Sequence, residues 1–100
     1  MRFEKLELNG KIITKESEIE SILEDKEFYW ILNSEVESAN IKLEKNTIVW
    51  KSGNFYAGNW YYGIWESGKF YGNWQNGIFM ESDKSEFKGK LKGKILNLKK

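Results

Sequence analysis

Trp50-Lys51-Ser52-Gly53-Asn54-Phe55-Tyr56-Ala57-Gly58-Asn59-Trp60-Tyr61-Tyr62-Gly63-Ile64-Trp65 decides the fold, together with its continuation Glu66-Ser67-Gly68-Lys69-Phe70-Tyr71-Gly72-Asn73-Trp74-Gln75-Asn76-Gly77-Ile78-Phe79. An aromatic ring stands at 50, 55, 60, 65, 70, 74 and 79, and a glycine follows three residues later in nearly every unit. The steps are five residues long except the four from Phe70 to Trp74, and Trp50-Lys-Ser-Gly-Asn-Phe55 recurs 24 residues later as Trp74-Gln-Asn-Gly-Ile-Phe79. Eleven of the 30 residues from 50 to 79 are aromatic, which marks a repeat and not a compositional accident.

Strand side chains alternate faces with period two, so a five-residue unit would throw successive rings to opposite sides of a straight strand. The chain must therefore turn or kink within each unit to keep them together. Ser52-Gly53, Ser67-Gly68 and Asn76-Gly77 are turn-forming dipeptides, whereas Gly58, Gly63 and Gly72 are expected inside strands, leaving room for a neighbouring ring. The expected arrangement is an antiparallel meander of short hairpins with a ladder of rings on its packed face.

Upstream, Arg2–Leu8, the turn pair Asn9-Gly10 and Lys11–Thr14 spell a hairpin. Ser17-Glu18-Ile19-Glu20 fits a capping box, and Ile19, Ile22 and Leu23 form one apolar stripe on a helix ending near Asp25. Phe28-Tyr29-Trp30-Ile31-Leu32 is short and rich in strand formers, so a buried strand is expected there. The fold class that follows is α+β, mostly β, in a single domain over 1–100. Residues 1–33 form a ββαβ part and residues 34–98 the aromatic/Gly β-repeat.

Phe70-Tyr-Gly-Asn-Trp74-Gln-Asn-Gly77 resembles the core of a MORN repeat, [Y/F]-x-G-x-W-x-x-G, a unit that forms stacked β-hairpins. Residues 55–63 resemble it with one residue inserted, and 87–93 with one lost and Leu91 in place of Trp. The denser G-x-[W/F]-x-x pattern is similar to Trp/Gly-repeat proteins of tailed phages and phage-like elements. Asn33–Ile41 also resembles the pentapeptide-repeat pattern of a narrow β-helix. Hairpins are preferred over that β-helix because four inward Trp side chains would overfill it. The MORN resemblance implies a scaffold or recognition module, in some relatives at membranes, with no catalytic residues. The phage-like pattern implies a small inhibitor or accessory protein that occludes a host protein, in the cytoplasm of a bacterial cell.

Composition narrows the chemistry. The 100 residues include no Cys, no His and no Pro. That removes disulfides, thiol chemistry, the commonest general base and the commonest transition-metal ligand. No apolar run reaches the roughly 20 residues of a membrane span, and the start MRFEKLEL has no signal-peptide core, so a soluble protein is expected. The carboxylates of Glu16, Glu18, Glu20, Glu24, Asp25 and Glu27 suit the wet face of a short helix. No catalytic motif accompanies them, so neither catalytic residues, metal nor cofactor is expected.

Two binding surfaces are candidates. Tyr56, Tyr61 and Tyr71 each follow a repeat ring and should point outward, with Tyr62, Asn59 and Asn73 near them: an amphipathic stripe suited to a protein partner or, alternatively, to stacking on sugar rings. The second is charge. The net charge is +1, but residues 1–86 carry 10 basic and 15 acidic side chains, whereas residues 87–100 carry six Lys and no acid. Phe87, Leu91 and Ile95 should share one face of an edge strand and Lys88, Lys90, Lys92 and Lys94 the other. Such lysines deter strand pairing, or reach nucleic acid, anionic lipid or an acidic protein. A homodimer through sheet edges is a further expectation.

Overall fold

A computed structural model describes residues 1–99. The chain is mostly β, with two helices and a mixed sheet. Strand β1 (Phe3–Leu8) turns at Asn9-Gly10, both at positive φ, into β2 (Lys11–Ile13). Helix α1 (Glu16–Asp25) follows and buries Ile19 and Leu23, as its stripe requires. The capping box does not form: the helix starts with Lys15 as N-cap, which leaves Ser17 inside the first turn, and no side chain caps it. Glu16 instead turns its carboxylate to the Phe3 backbone N–H, 2.8 Å away.

The segment expected as a buried strand is the one-turn helix α2 (Tyr29–Leu32). Glu27, at φ 65°, ends α1, and the Arg2 guanidinium donates to the carbonyls of Leu32 (2.7 Å) and Ser34 (2.8 Å), holding the end of the turn. A helical turn sends Phe28 and Ile31 into the core while Trp30 meets Trp60 edge to face at 5.2 Å. Strand alternation would have separated Phe28 from Ile31.

Strand β3 (Glu35–Glu44) runs parallel to β1, with Leu6 opposite Ile41. Through the tight turn at Lys45-Asn46 it pairs antiparallel with β4 (Thr47–Ala57), Ile41 opposite Trp50 and Val36 opposite Phe55. Beyond β4 the chain winds in one direction. Strands β5 (Asn59–Trp60), β6 (Ile64–Trp65), β7 (Gly68–Phe70), β8 (Asn73–Trp74), β9 (Ile78–Glu81), β10 (Ser85–Phe87), β11 (Lys90–Leu91) and β12 (Leu96–Lys99) form three parallel stacks. These are β4–β6–β9–β12, β4–β7–β10 and β5–β8–β11. Three repeat units make one turn of a three-sided coil. Trp50 therefore aligns with Trp65, Phe55 with Phe70 and Trp60 with Trp74.

The expected antiparallel hairpins are thus replaced by parallel strands. Gly53 lies within β4, Gly68 opens β7 and Gly77 precedes β9, so none of the three dipeptides reverses the chain. The required kink in each unit is present, but it bends the chain around a corner. The ring volume that argued against a β-helix is accommodated by stacking. Trp50 lies on Trp65 (4.9 Å, 8°), Phe55 on Phe70 (5.0 Å, 28°) and Trp60 on Trp74 (5.3 Å, 14°). Within a turn, Trp50, Phe55 and Trp60 meet edge to face at 5.8–6.2 Å. Both geometries suit the ring quadrupole, each pair adding about 0.5–1.5 kcal/mol beyond area burial. Gly72 sits at a corner and not within a strand, yet it does make room for a ring: a Cβ there would lie 2.7 Å from the Phe55 ring and 2.6 Å from the Gly58 carbonyl.

Candidate docking end

The two ends of the coil are finished differently. At the first turn, β3 takes the edge of β4, and α2 covers β5 through Trp30 on Trp60 and Phe28 against Tyr62 (6.0 Å). Phe3, Leu6, Ile13, Ile19, Leu23 and Ile31 complete a closed apolar cap. Among the described residues the last turn has no equivalent, and strands β10, β11 and β12 each pair on one side only. The ring columns end in Phe87, stacked on Phe70 at 5.3 Å, and in Leu91, aligned with Trp74. Phe87 and Ile95 are half-buried, while Leu91, Leu96 and Leu98 are 52%, 55% and 41% exposed.

Leu96 aligns with Ile78 and Leu98 with Met80, extending onto the last strand the outward aliphatic row that runs through Ile64 and Ile78. The Leu96 N–H is bonded to the Gly77 carbonyl at 3.0 Å. Alternation then directs the backbone groups of Asn97 and Lys99 to the free edge. Leu96 and Leu98 were not singled out from sequence. The available signal was that the rings stop at Phe87, which leaves the next turn without large side chains to close it.

The basic residues concentrate on this same turn. The expectation of one straight edge strand is corrected: the segment bends at Gly89 and Gly93, so Lys88, Lys90, Lys92 and Lys94 ring two sides of the coil. Lys88 pairs with Glu86 at 3.1 Å, and this hydrogen bond holds its ammonium above the usual lysine range. Among the described residues Lys90, Lys92, Lys94 and Lys99 make no ion pair. The Trp74 indole N–H donates to the Lys94 carbonyl at 3.1 Å and so pins the start of the final pass.

The tyrosines divide into two groups. Tyr56 and Tyr71 are exposed and stacked on each other (5.8 Å, 22°) in one outward row, with Lys88 next in line. The Tyr56 hydroxyl donates to Glu37 (3.0 Å) and accepts from Asn54 (3.2 Å); the bond to Glu37 raises its pKa. Tyr61 and Tyr62 lie at the opposite, capped end against Trp30 (6.1 and 5.4 Å). Asn59 and Asn73 align with Lys90, and the Asn59 side-chain Oδ1 accepts from the Gln75 side-chain amide at 3.2 Å. Tyr61 also lines a surface depression with Trp30, Asn33, Ser34, Gly58 and Asn59. The expected single stripe is therefore a self-paired ladder plus a corner cluster.

Among the described residues no helix is long and apolar enough to cross a membrane, and no group of carboxylates is arranged to hold a metal ion. Comparison with protein-family models, with curated proteins and with solved structures finds no match to this chain.

Proposed function

We infer that this protein is a non-enzymatic protein-interaction module that docks through its last turn, β10–β12. One observation carries this reading: among the described residues the coil is capped at its first turn and not at its last, where apolar side chains lie beside three strands that each have one free edge. Stacked β architectures require a polar cap at each end for solubility, and an uncapped end with free backbone groups is a template for another chain. The resemblance to MORN units supports the same class of function, a scaffold that presents a surface.

The tyrosine ladder is a weaker candidate. Tyr56 and Tyr71 cover one another, and their neighbours already occupy the Tyr56 hydroxyl. Stacking on each other leaves less open ring face for a sugar than an isolated platform would offer. The test is capture of a partner from the native host, followed by binding measurements with that purified partner. Leu96→Asp with Leu98→Asp should weaken binding at least about tenfold, as loss of central apolar anchors does. Tyr56→Ser with Tyr71→Ser should leave it within about threefold. The reverse order would overturn the assignment.

A further inference from the structure

We propose that the corner where α2 packs on β5 is a binding site for one neutral sugar ring, with the Tyr61 ring as its platform and the Asn33 and Asn59 side chains as hydrogen-bonding partners. The site lies at the capped end and stands independently of the docking reading.

The depression beside Tyr61 holds about 260 Å³. Sites for drug-sized ligands run to roughly 300–1,000 Å³, so this one suits a single small ring. Its walls are fixed before any ligand arrives. Arg2 holds the carbonyls of Leu32 and Ser34, and the Ser34 hydroxyl donates to the Trp30 carbonyl at 2.5 Å. Gly58, at φ 122°, contributes backbone without a side chain, and a Cβ there would run into Ser34.

The lining selects the ligand's chemistry. It carries no charged side chain, so a phosphate, carboxylate or ammonium would find no partner in it. Tyr61 is 47% exposed and meets Trp30 alone among the described rings, at 83°. Trp60 aligns with Trp74, which puts Gln75 and not a second tyrosine at Tyr61's place in the next turn. Tyr61 is therefore not covered as Tyr56 is by Tyr71. An open ring face is electron-rich and attracts the C–H groups of a pyranose, which carry partial positive charge. The sugar's hydroxyls need donors and acceptors around that ring, and amides supply both. Among the described residues the exposed Asn33 side chain makes no hydrogen bond, and Asn59 engages only its Oδ1, leaving its Nδ2 to donate. An aliphatic side chain in the depression would cover these amides without pairing them, which is costly.

The test is an NMR titration of the isotope-labelled full chain with the methyl glycosides of glucose, galactose, mannose and N-acetylglucosamine, with uridine as the comparison. At least one glycoside should shift the Trp30 indole N–H and the side-chain amides of Asn33 and Asn59 saturably, with a Kd of about 1 mM, ordinary for so small a ligand. Asn33→Ala removes a side chain that bonds to nothing in the fold, and Tyr61→Ser removes the platform. Each should weaken binding at least about fivefold, the worth of one good contact. Tyr56→Ser with Tyr71→Ser, and Leu96→Asp with Leu98→Asp, should each leave it within about twofold, since distant sites act independently. Melting of each variant confirms folding.

No saturable shift with any glycoside would overturn the site. Shifts centred on Tyr56 and Tyr71 would give sugar binding to the ladder and overturn the corner. Uridine binding with the glycosides silent would make the corner a base-stacking site and overturn the sugar. Parental affinity in both Asn33→Ala and Tyr61→Ser would remove the named residues and the proposal with them. The Leu96 and Leu98 changes test the docking end alone, so either reading can fail without the other.

Discussion

Trp74 and Gly72 show how single residues hold this coil. Trp74 is fully buried, stacks on Trp60 and tethers the Lys94 carbonyl. Trp74→Ala opens a ring-sized cavity and frees a backbone acceptor, so a loss of about 3–5 kcal/mol is expected, a large part of a small domain's stability. Gly72→Val should be comparably damaging, because its first carbon already meets the Phe55 ring and the Gly58 carbonyl. Denaturant unfolding checks both; parental stability in either variant would contradict the stacking geometry. The sequence reading reached these residues by assigning the rings to the core and Gly72 to a ring contact. It missed the close approach of Gly72 to Gly58, because backbone proximity between turns of a coil leaves no mark on a single strand's pattern.

Among the elements, the start of α1 is the clearest difference between pattern and structure. Ser17 and Glu20 satisfy a capping box by spacing, but tertiary contact draws Glu16 to the Phe3 N–H and Glu20 to Arg2 (3.2 Å). The Phe3 bond holds the Glu16 carboxyl below its ordinary value of 4.5. A depressed folded-state pKa adds stability that is present above the unfolded value and is lost as pH falls through the folded one. Stability should therefore decline as pH drops below 4.5, and Glu16→Gln should flatten that decline while lowering stability modestly at neutral pH. Thermal melts across this range decide it; an identical acid profile in the variant would remove Glu16 from the account. The first hairpin and α1 were legible because turn chemistry and helical period are local. α2 was not, since its helical turn depends on Arg2 some thirty residues away.

At the scale of the whole molecule, the repeat was legible as a repeat and the direction of its turns was not. A unit that kinks the chain every five residues is compatible with hairpins or with a coil. The choice falls to packing between turns, where rings stack flat on their counterparts. Far-UV circular dichroism should be dominated by β-structure with a minor helical contribution, and the five Trp residues should emit at blue-shifted wavelengths. Helix-dominated dichroism or emission typical of water-exposed indole would contradict the coil. The open end was legible only in part. The lysines of residues 88–94 were singled out from sequence, but Leu96 and Leu98 became candidates once β12 was seen to have one neighbour.

The central claim is that the molecule works through its uncapped turn, and a hydrogen-exchange footprint of the chain bound to its native partner tests it most directly. New protection is expected at Asn97 and Lys99 and along β10 and β11, with the amides of Tyr56 and Tyr71 unchanged. Protection confined to the Tyr56–Tyr71 face or to the α1–α2 cap, with β12 exchanging as in the free protein, would contradict it.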